Sequence, residues 1–149
     1  MKRYIKLTYN GTVLSKKNRH ITTRQGGVIP DAKARANEAD MISQFIVQLK
    51  KQGGTKIFTE TRAEMLIEAN AKNTTYRIKM TIYNETNRRR DLDNQATSIL
   101  DALTKSGAIV DDCSKYLKGL YIEFGGIDKN NPRAEIAIEI TEGEGGGQV

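Results

Sequence analysis

The sequence predicts a single α+β domain in which helices back one face of a β-sheet. Three observations carry that prediction. Apolar and polar residues alternate cleanly over 75–84 and 133–140. An apolar stripe at three- and four-residue spacing runs from about Asp31 to Leu49. The length, 149 residues, fits one core and one domain.

Taken in order, residues 3–9 place Ile5, Leu7 and Tyr9 on one side and read as a strand. Asn10 to Pro30 is polar, with Gly11, the run Ser15-Lys16-Lys17-Asn18 and Gly26-Gly27, and is expected to be a long loop of the functional or mobile kind. A helix follows from about Asp31, with Ala34, Ile42, Phe45, Ile46 and Leu49 inward and Gly53-Gly54 as its stop. Ile57 and Phe58 suit the start of a short strand, and Ala63, Leu66, Ile67 and Ala71 a second helix. Over 75–84, Tyr76, Ile78, Met80 and Ile82 face one way, the pattern of a strand covered on one side only.

Asn84 to Arg90 is a basic connector, after which Asp91 or Asp93 can cap a helix reaching about Lys105. Its inward residues are Ala96, Ile99, Leu100 and Leu103, and Gly107 ends it. Residues 118–124 and 133–140 read as two closing strands, with a turn from Asp128 to Pro132. The domain is placed at 1–141, and the Gly- and Glu-rich end, 142–149, is expected to be a disordered tail.

Composition narrows the function. No stretch reaches the roughly 18 apolar residues of a membrane span, and Met1-Lys2-Arg3 turns polar too early for a signal peptide. One cysteine, Cys113, rules out an internal disulfide framework and suits a reducing cytoplasm. With one histidine, His20, a zinc site lacks ligands, so any bound ion must be a hard cation on carboxylates. Cys113 is expected to be small apolar filler, and His20 a surface residue of a basic loop.

The net charge of +6 is unevenly spread: residues 1–90 carry 19 Lys or Arg against 7 Asp or Glu, and residues 91–149 carry 5 against 11. The basic part predicts a polyanionic partner held through phosphate contacts. The sign changes between Arg90 and Asp91, inside Arg88-Arg89-Arg90-Asp91-Leu92-Asp93-Asn94. Two carboxylates one residue apart, at a strand-to-helix junction, can converge on Mg²⁺ and act on a phosphodiester. Asp111-Asp112 follows the same helix and must return alongside it to join them. The residue pattern alone leaves a structural reading open, in which Asp91 or Asp93 is an N-cap, Asp111-Asp112 a turn, and the arginines a solvated run.

The segment from Arg88 to Asp112, RRRDLDNQATSILDALTKSGAIVDD, resembles the core of the RusA-like Holliday junction resolvases. The shared features are the basic run, D-L-D-N, a helix bearing L-D-A-L, a glycine, and a paired D-D about twenty residues on. The likeness extends more loosely to the Ser15-Lys16-Lys17-Asn18 loop and the final strands. It implies a small mixed β-sheet packed with two or three helices, and a homodimer that nicks four-way DNA junctions in pairs with Mg²⁺, for which Mn²⁺ can substitute. Asp91, Asp93 and Asp112 are then the catalytic, metal-holding carboxylates, and Lys16, Lys17, Arg19, Arg88, Arg89 and Arg90 the DNA-binding cations. The resemblance also suggests a phage or prophage setting.

Two positions depart from the family pattern. Thr97 stands where the family has a catalytic lysine, four residues after the second aspartate of D-L-D, and Leu14 stands where a proline often precedes the serine. Lys16 or Lys17 is the expected substitute cation, with Lys105 too far along the helix. Asn94 is expected to orient Asp93 or a water, and Asp101 to face a basic residue. The alternative function is a junction- or branched-DNA-binding protein with weak or no cleavage. A third, more distant reading is a nuclease of flaps or other branches.

Overall fold

A computed structural model describes residues 1–16, 20–22, 24–53 and 61–143, with the backbone alone at 20–22 and 28–30. The elements are β1 (Lys2–Asn10), β2 (His20–Thr22), β3 (Val28–Pro30), α1 (Ala32–Lys51), α2 (Arg62–Ala71), β4 (Thr75–Asn84), α3 (Leu92–Ser106), β5 (Leu117–Ile127) and β6 (Arg133–Thr141). Four strands form a mixed sheet in the order β1-β6-β4-β5, and β2 and β3 pair separately. β6 is antiparallel to both β1 and β4, while β5 runs parallel to β4. The fold is thus the expected small α+β domain with three helices.

The core follows from the alternation. Register lines up Ile5, Ile138, Ile78 and Leu120 across all four strands, and beside them Leu7, Ile136, Met80 and Ile122. These rows face α1 and α3, which bury Met41, Phe45, Leu49, Ile99 and Leu103 against them. Phe45 is completely buried, so truncating it to alanine costs about 3–5 kcal/mol.

The two closing strands are not neighbours: β4 lies between β5 and β6. The turn after β5 therefore carries the chain past β4 to reach the β1 side. Part of the expected loop from Asn10 to Pro30 is the β2–β3 hairpin. In α2, Met65, Leu66 and Ala69 turn inward, whereas Ile67 is 69% exposed and Ala63 and Ala71 face out. A capping box, Thr61 with Glu64, starts that helix. The expected strand at Ile57 and Phe58 lies outside the described residues.

At the C-terminus, the first two residues of the expected tail are held. The Glu142 amide donates to the Met1 carbonyl and its carboxylate meets Arg3 at 3.3 Å, while the Gly143 amide donates to the Lys72 carbonyl. Residues 144–149 lie outside the described residues.

The free edge of β1 is covered by side chains of α1. Gln48 exchanges two hydrogen bonds with the Thr8 backbone, accepting at 2.8 Å and donating at 2.7 Å. Gln44 does the same with Asn10, and Gln52 donates to the Lys6 carbonyl at 3.0 Å. Glutamines four residues apart recur once per helical turn, so one face of α1 imitates a neighbouring strand.

Candidate active site

β4 ends at Asn84, and the connector delivers the chain to the start of α3. Asp91 holds the N-cap position with extended φ −81 and ψ 121, yet its side chain makes no capping hydrogen bond. Its carboxylate instead receives the Asn94 amide at 3.4 Å and lies 3.8 Å from Arg89 Nε. Asn94 thus orients Asp91, where Asp93 had been expected. Asp93 is exposed in the first turn. The two carboxylates share a helix start whose dipole favours negative charge.

The three arginines separate in role. Arg89 is 92% exposed and Arg88 is exposed beside it, whereas the Arg90 side chain folds inward, 14% exposed, with its guanidinium 3.8 Å from Glu85. A cavity of about 340 Å³ opens between this run, Gln95 and the apolar side chains of Leu92, Phe124 and Ile127. Gln95 is almost fully buried, and its amide donates to the Val13 carbonyl and to Asn84 Oδ1, both at 2.9 Å, which ties the start of α3 to β4.

Asp112 is at the other end of α3. Gly107 terminates the helix in the left-handed region at φ 84. Ala108, Ile109 and Val110 are then buried, and the Val110 amide donates to the Tyr76 hydroxyl beside the first residues of β4. The cause is topological. Parallel β4 and β5 need a crossover, so α3 starts where β4 ends and finishes where β5 begins. Its 15 residues span about 22 Å. The expected convergence of Asp91, Asp93 and Asp112 does not occur within one chain. Among the described residues no group of three His, Cys, Asp or Glu is placed to hold an ion. Asp112 is itself exposed. Partial desolvation, then its neighbour Asp111, raises its carboxyl above the usual aspartate range.

Lys16 is placed by an ion network. Its backbone amide donates to Ser98 Oγ at 3.3 Å, and its ammonium sits 2.5 Å from Glu38 and 2.7 Å from Asp101. Lys105 joins at 2.6 Å from Glu38. Desolvation lowers the Lys16 pKa, but the hydrogen-bonded Asp101 and Glu38 outweigh it, and the ammonium stands above its ordinary value. Glu38 is likewise desolvated, yet Lys105 and Lys16 hold its carboxyl below the ordinary value. Lys16 therefore lies two turns along α3 from Asp93, about 12 Å, and not beside it. Asp101 does face a basic residue, as its position on the helix suggested.

Thr97 is exposed, its hydroxyl donating to the Asp93 carbonyl at 3.0 Å. Cys113 is exposed, contrary to its expected role as filler. Lys17 and Arg19 lie outside the described residues, as does the side chain of His20. Sequence reasoning missed Glu38, whose only signal is an acidic residue on the polar face of α1. It also missed Gln95, a polar residue within an apolar stripe.

An exposed acidic pair thus stands at the start of α3, flanked by exposed arginines on a small α+β scaffold. A family model described as Endodeoxyribonuclease RusA matches residues 10–139, and the chain belongs to that family. The family's activity is endonucleolytic, directed at branched DNA junctions. No curated protein matches the chain. No helix among the described residues is long and apolar enough to cross a membrane.

Proposed function

We propose that this chain cleaves four-way DNA junctions with a divalent cation, Mg²⁺ or in its place Mn²⁺, held by Asp91 and Asp93. The observation that carries the reading is the unspent carboxylate of Asp91: it occupies an N-cap position without capping, steadied by Asn94 and next to Arg89. A structural aspartate at that position would bond the helix amides, as Asp31 does with the Ala34 amide. The donor set fits Mg²⁺, which takes one or two protein carboxylates and keeps its remaining positions for water and phosphate.

A bound Mg²⁺ would polarise the scissile phosphate and make a coordinated water acidic enough to attack it. The chain's own residues do the rest. Arg88 and Arg89 are exposed on the approach to the pair and hold flanking phosphates. Asn94 fixes one carboxylate, and Gln95 anchors the helix start to β4. Asp112, a helix length away in its own chain, reaches the pair only from a second copy, so a homodimer is part of the proposal.

A second reading, junction binding with little cleavage, draws on one observation. Lys16, a candidate replacement for the lysine that Thr97 displaces, is committed to Glu38 and Asp101. The two readings separate on a synthetic four-way junction and a matching linear duplex, incubated with and without Mg²⁺ or Mn²⁺. Paired, metal-dependent nicks confined to the junction support cleavage. Salt-sensitive binding without nicks under any of these conditions supports the second reading.

A further inference from the structure

We propose that the cavity beside the acidic pair takes one unstacked nucleobase of the bound DNA, with Phe124 against its face and Gln95 Oε1 accepting a hydrogen bond from its edge. The proposal deepens the junction-cleaving reading and rests on it for the presence of DNA at this end of α3.

Position is the first argument. The start of α3 divides its residues between two surfaces. Asp91 and Asp93 are exposed, while Leu92, between them, lines the cavity together with Gln95. Phe124 and Ile127, the last apolar residues of β5, line it too, and so do Arg88 and Arg89. At about 340 Å³ the cavity falls within the range of small-ligand sites. A group seated there is therefore held by the same helix turn that carries the carboxylates.

The second argument is an unanswered polar atom. Gln95 is 1% exposed, and its amide nitrogen spends its hydrogens on the Val13 carbonyl and Asn84 Oδ1. Its Oε1 is buried and has no hydrogen-bond partner among the described residues. A buried acceptor left unpaired is costly, and native structures rarely keep one without a use. With the nitrogen committed, Gln95 can only accept, so the group it awaits is a donor.

The third argument is the surface around it. Phe124 pairs with Ile82 on the core face of the sheet, yet it is 51% exposed. Exposed aromatic rings beside guanidinium groups are the surfaces on which unpaired bases stack. The occupant must be flat and apolar over its faces, carry an N–H at its edge, and be joined to negative charge at its rim. A nucleobase still attached to its strand meets all three demands, with its phosphates on Arg88 and Arg89. A purely apolar partner would leave Gln95 and the arginines unanswered.

Unstacking is cheapest where pairing and stacking are already broken, as at a branch point. Seating the base would draw its phosphate toward Asp91 and Asp93 and favour branched over linear DNA.

Fluorescence tests the proposal without cleavage. Four-way junctions carry 2-aminopurine, which brightens when it leaves a base stack, at each nucleotide around the branch in turn, and binding is followed without Mg²⁺. Wild-type protein should brighten one position, and a matching linear duplex should stay dark. Phe124→Ala, with circular dichroism unchanged, should abolish the rise and weaken junction binding by about tenfold. A change in the DNA alone probes Gln95. At the brightened position, unsubstituted purine, which lacks the exocyclic amine of 2-aminopurine, should bind about fivefold more weakly. No rise at any position, a rise that Phe124→Ala leaves intact, or equal affinity for the two bases would overturn the proposal. So would a Phe124→Ala effect that sedimentation traces to lost contact between copies. Brightening that follows this pattern on junctions that are never cut keeps the pocket and removes the cleavage reading. Cutting without brightening does the reverse.

Discussion

The two ends of α3 hold the same residue types and use them in opposite ways. Toward its C-terminus, Asp101 and Lys105 are bound into a network with Lys16 and Glu38, every charge answered within 2.7 Å. At its N-terminus, Asp91 and Asp93 face outward, and among the described residues the one cation within 4 Å of Asp91 is Arg89, at 3.8 Å. Charges matched at close range hold loop to helix. Carboxylates left to solvent at a helix start are available to a ligand, and this contrast is what supports the proposed assignment.

The largest expected effect tests the N-terminal end. Asp91→Asn or Asp93→Asn should lower junction cleavage by about 100-fold or more, with junction binding retained or tightened. Because Asp91 makes no side-chain cap bond, thermal stability should barely change. By contrast, Asp31→Ala removes a bond to the Ala34 amide and should cost about 1 kcal/mol of stability. A large fall in the melting temperature of Asp91→Asn would erase the contrast between the two ends.

Next comes the network. Lys16→Ala leaves Glu38 and Asp101 short of a partner and should destabilise by about 1–2 kcal/mol in denaturant titration. The pH dependence has a definite sign. Glu38 is depressed in the folded state, so its contribution is present above its unfolded pKa and lost as pH falls through the folded value. Lys16 is raised, so its contribution is complete below its unfolded pKa and lost as pH rises through the folded value. Stability from the network is thus level through neutral pH and declines at both extremes, and Lys16→Ala should flatten both declines.

A smaller effect is expected at the arginines. Arg88→Ala and Arg89→Ala should each weaken DNA binding evenly across sequences and make its logarithmic salt slope shallower by about 1. Binding isotherms at several salt concentrations measure this. The smallest structural change is Thr97→Lys, expected within about 0.5 kcal/mol of wild-type stability. In single-turnover assays it should raise the cleavage rate, by placing a cation one turn from Asp93.

What could be read from the sequence follows from the range of each interaction. β1, β4 and β6 were legible because each alternates against a covered face, and α1 and α3 because their stripes are long. α2 was legible as a helix but only partly in its facing: Leu66 meets the core as expected, while Ile67 is exposed and Met65 and Ala69 turn inward instead. Strand order was not legible, since the chain leaves β5 and passes β4 to place β6 on its far side, and no local pattern records that choice. Of the candidate site, the Asp91–Asp93 pair was visible in its spacing and charge context. The displacement of Asp112 was not, because it depends on β4 and β5 being parallel. Lys16 was misplaced because its partners, Glu38 and Asp101, lie 22 and 85 residues away in sequence. The glutamine edge was present at 44, 48 and 52, but its meaning needs β1 beside it.

The claim on which the account turns is that the two ends of α3 serve one site only across two copies. Mixed dimers of an Asp93→Asn chain with an Asp112→Asn chain test it directly. If each site takes Asp91 and Asp93 from one copy and Asp112 from the other, the mixed dimer keeps one intact site, and single nicks should return although neither parent cuts. If the three aspartates act within one chain, both sites are damaged and the mixture stays inactive, which would contradict the account.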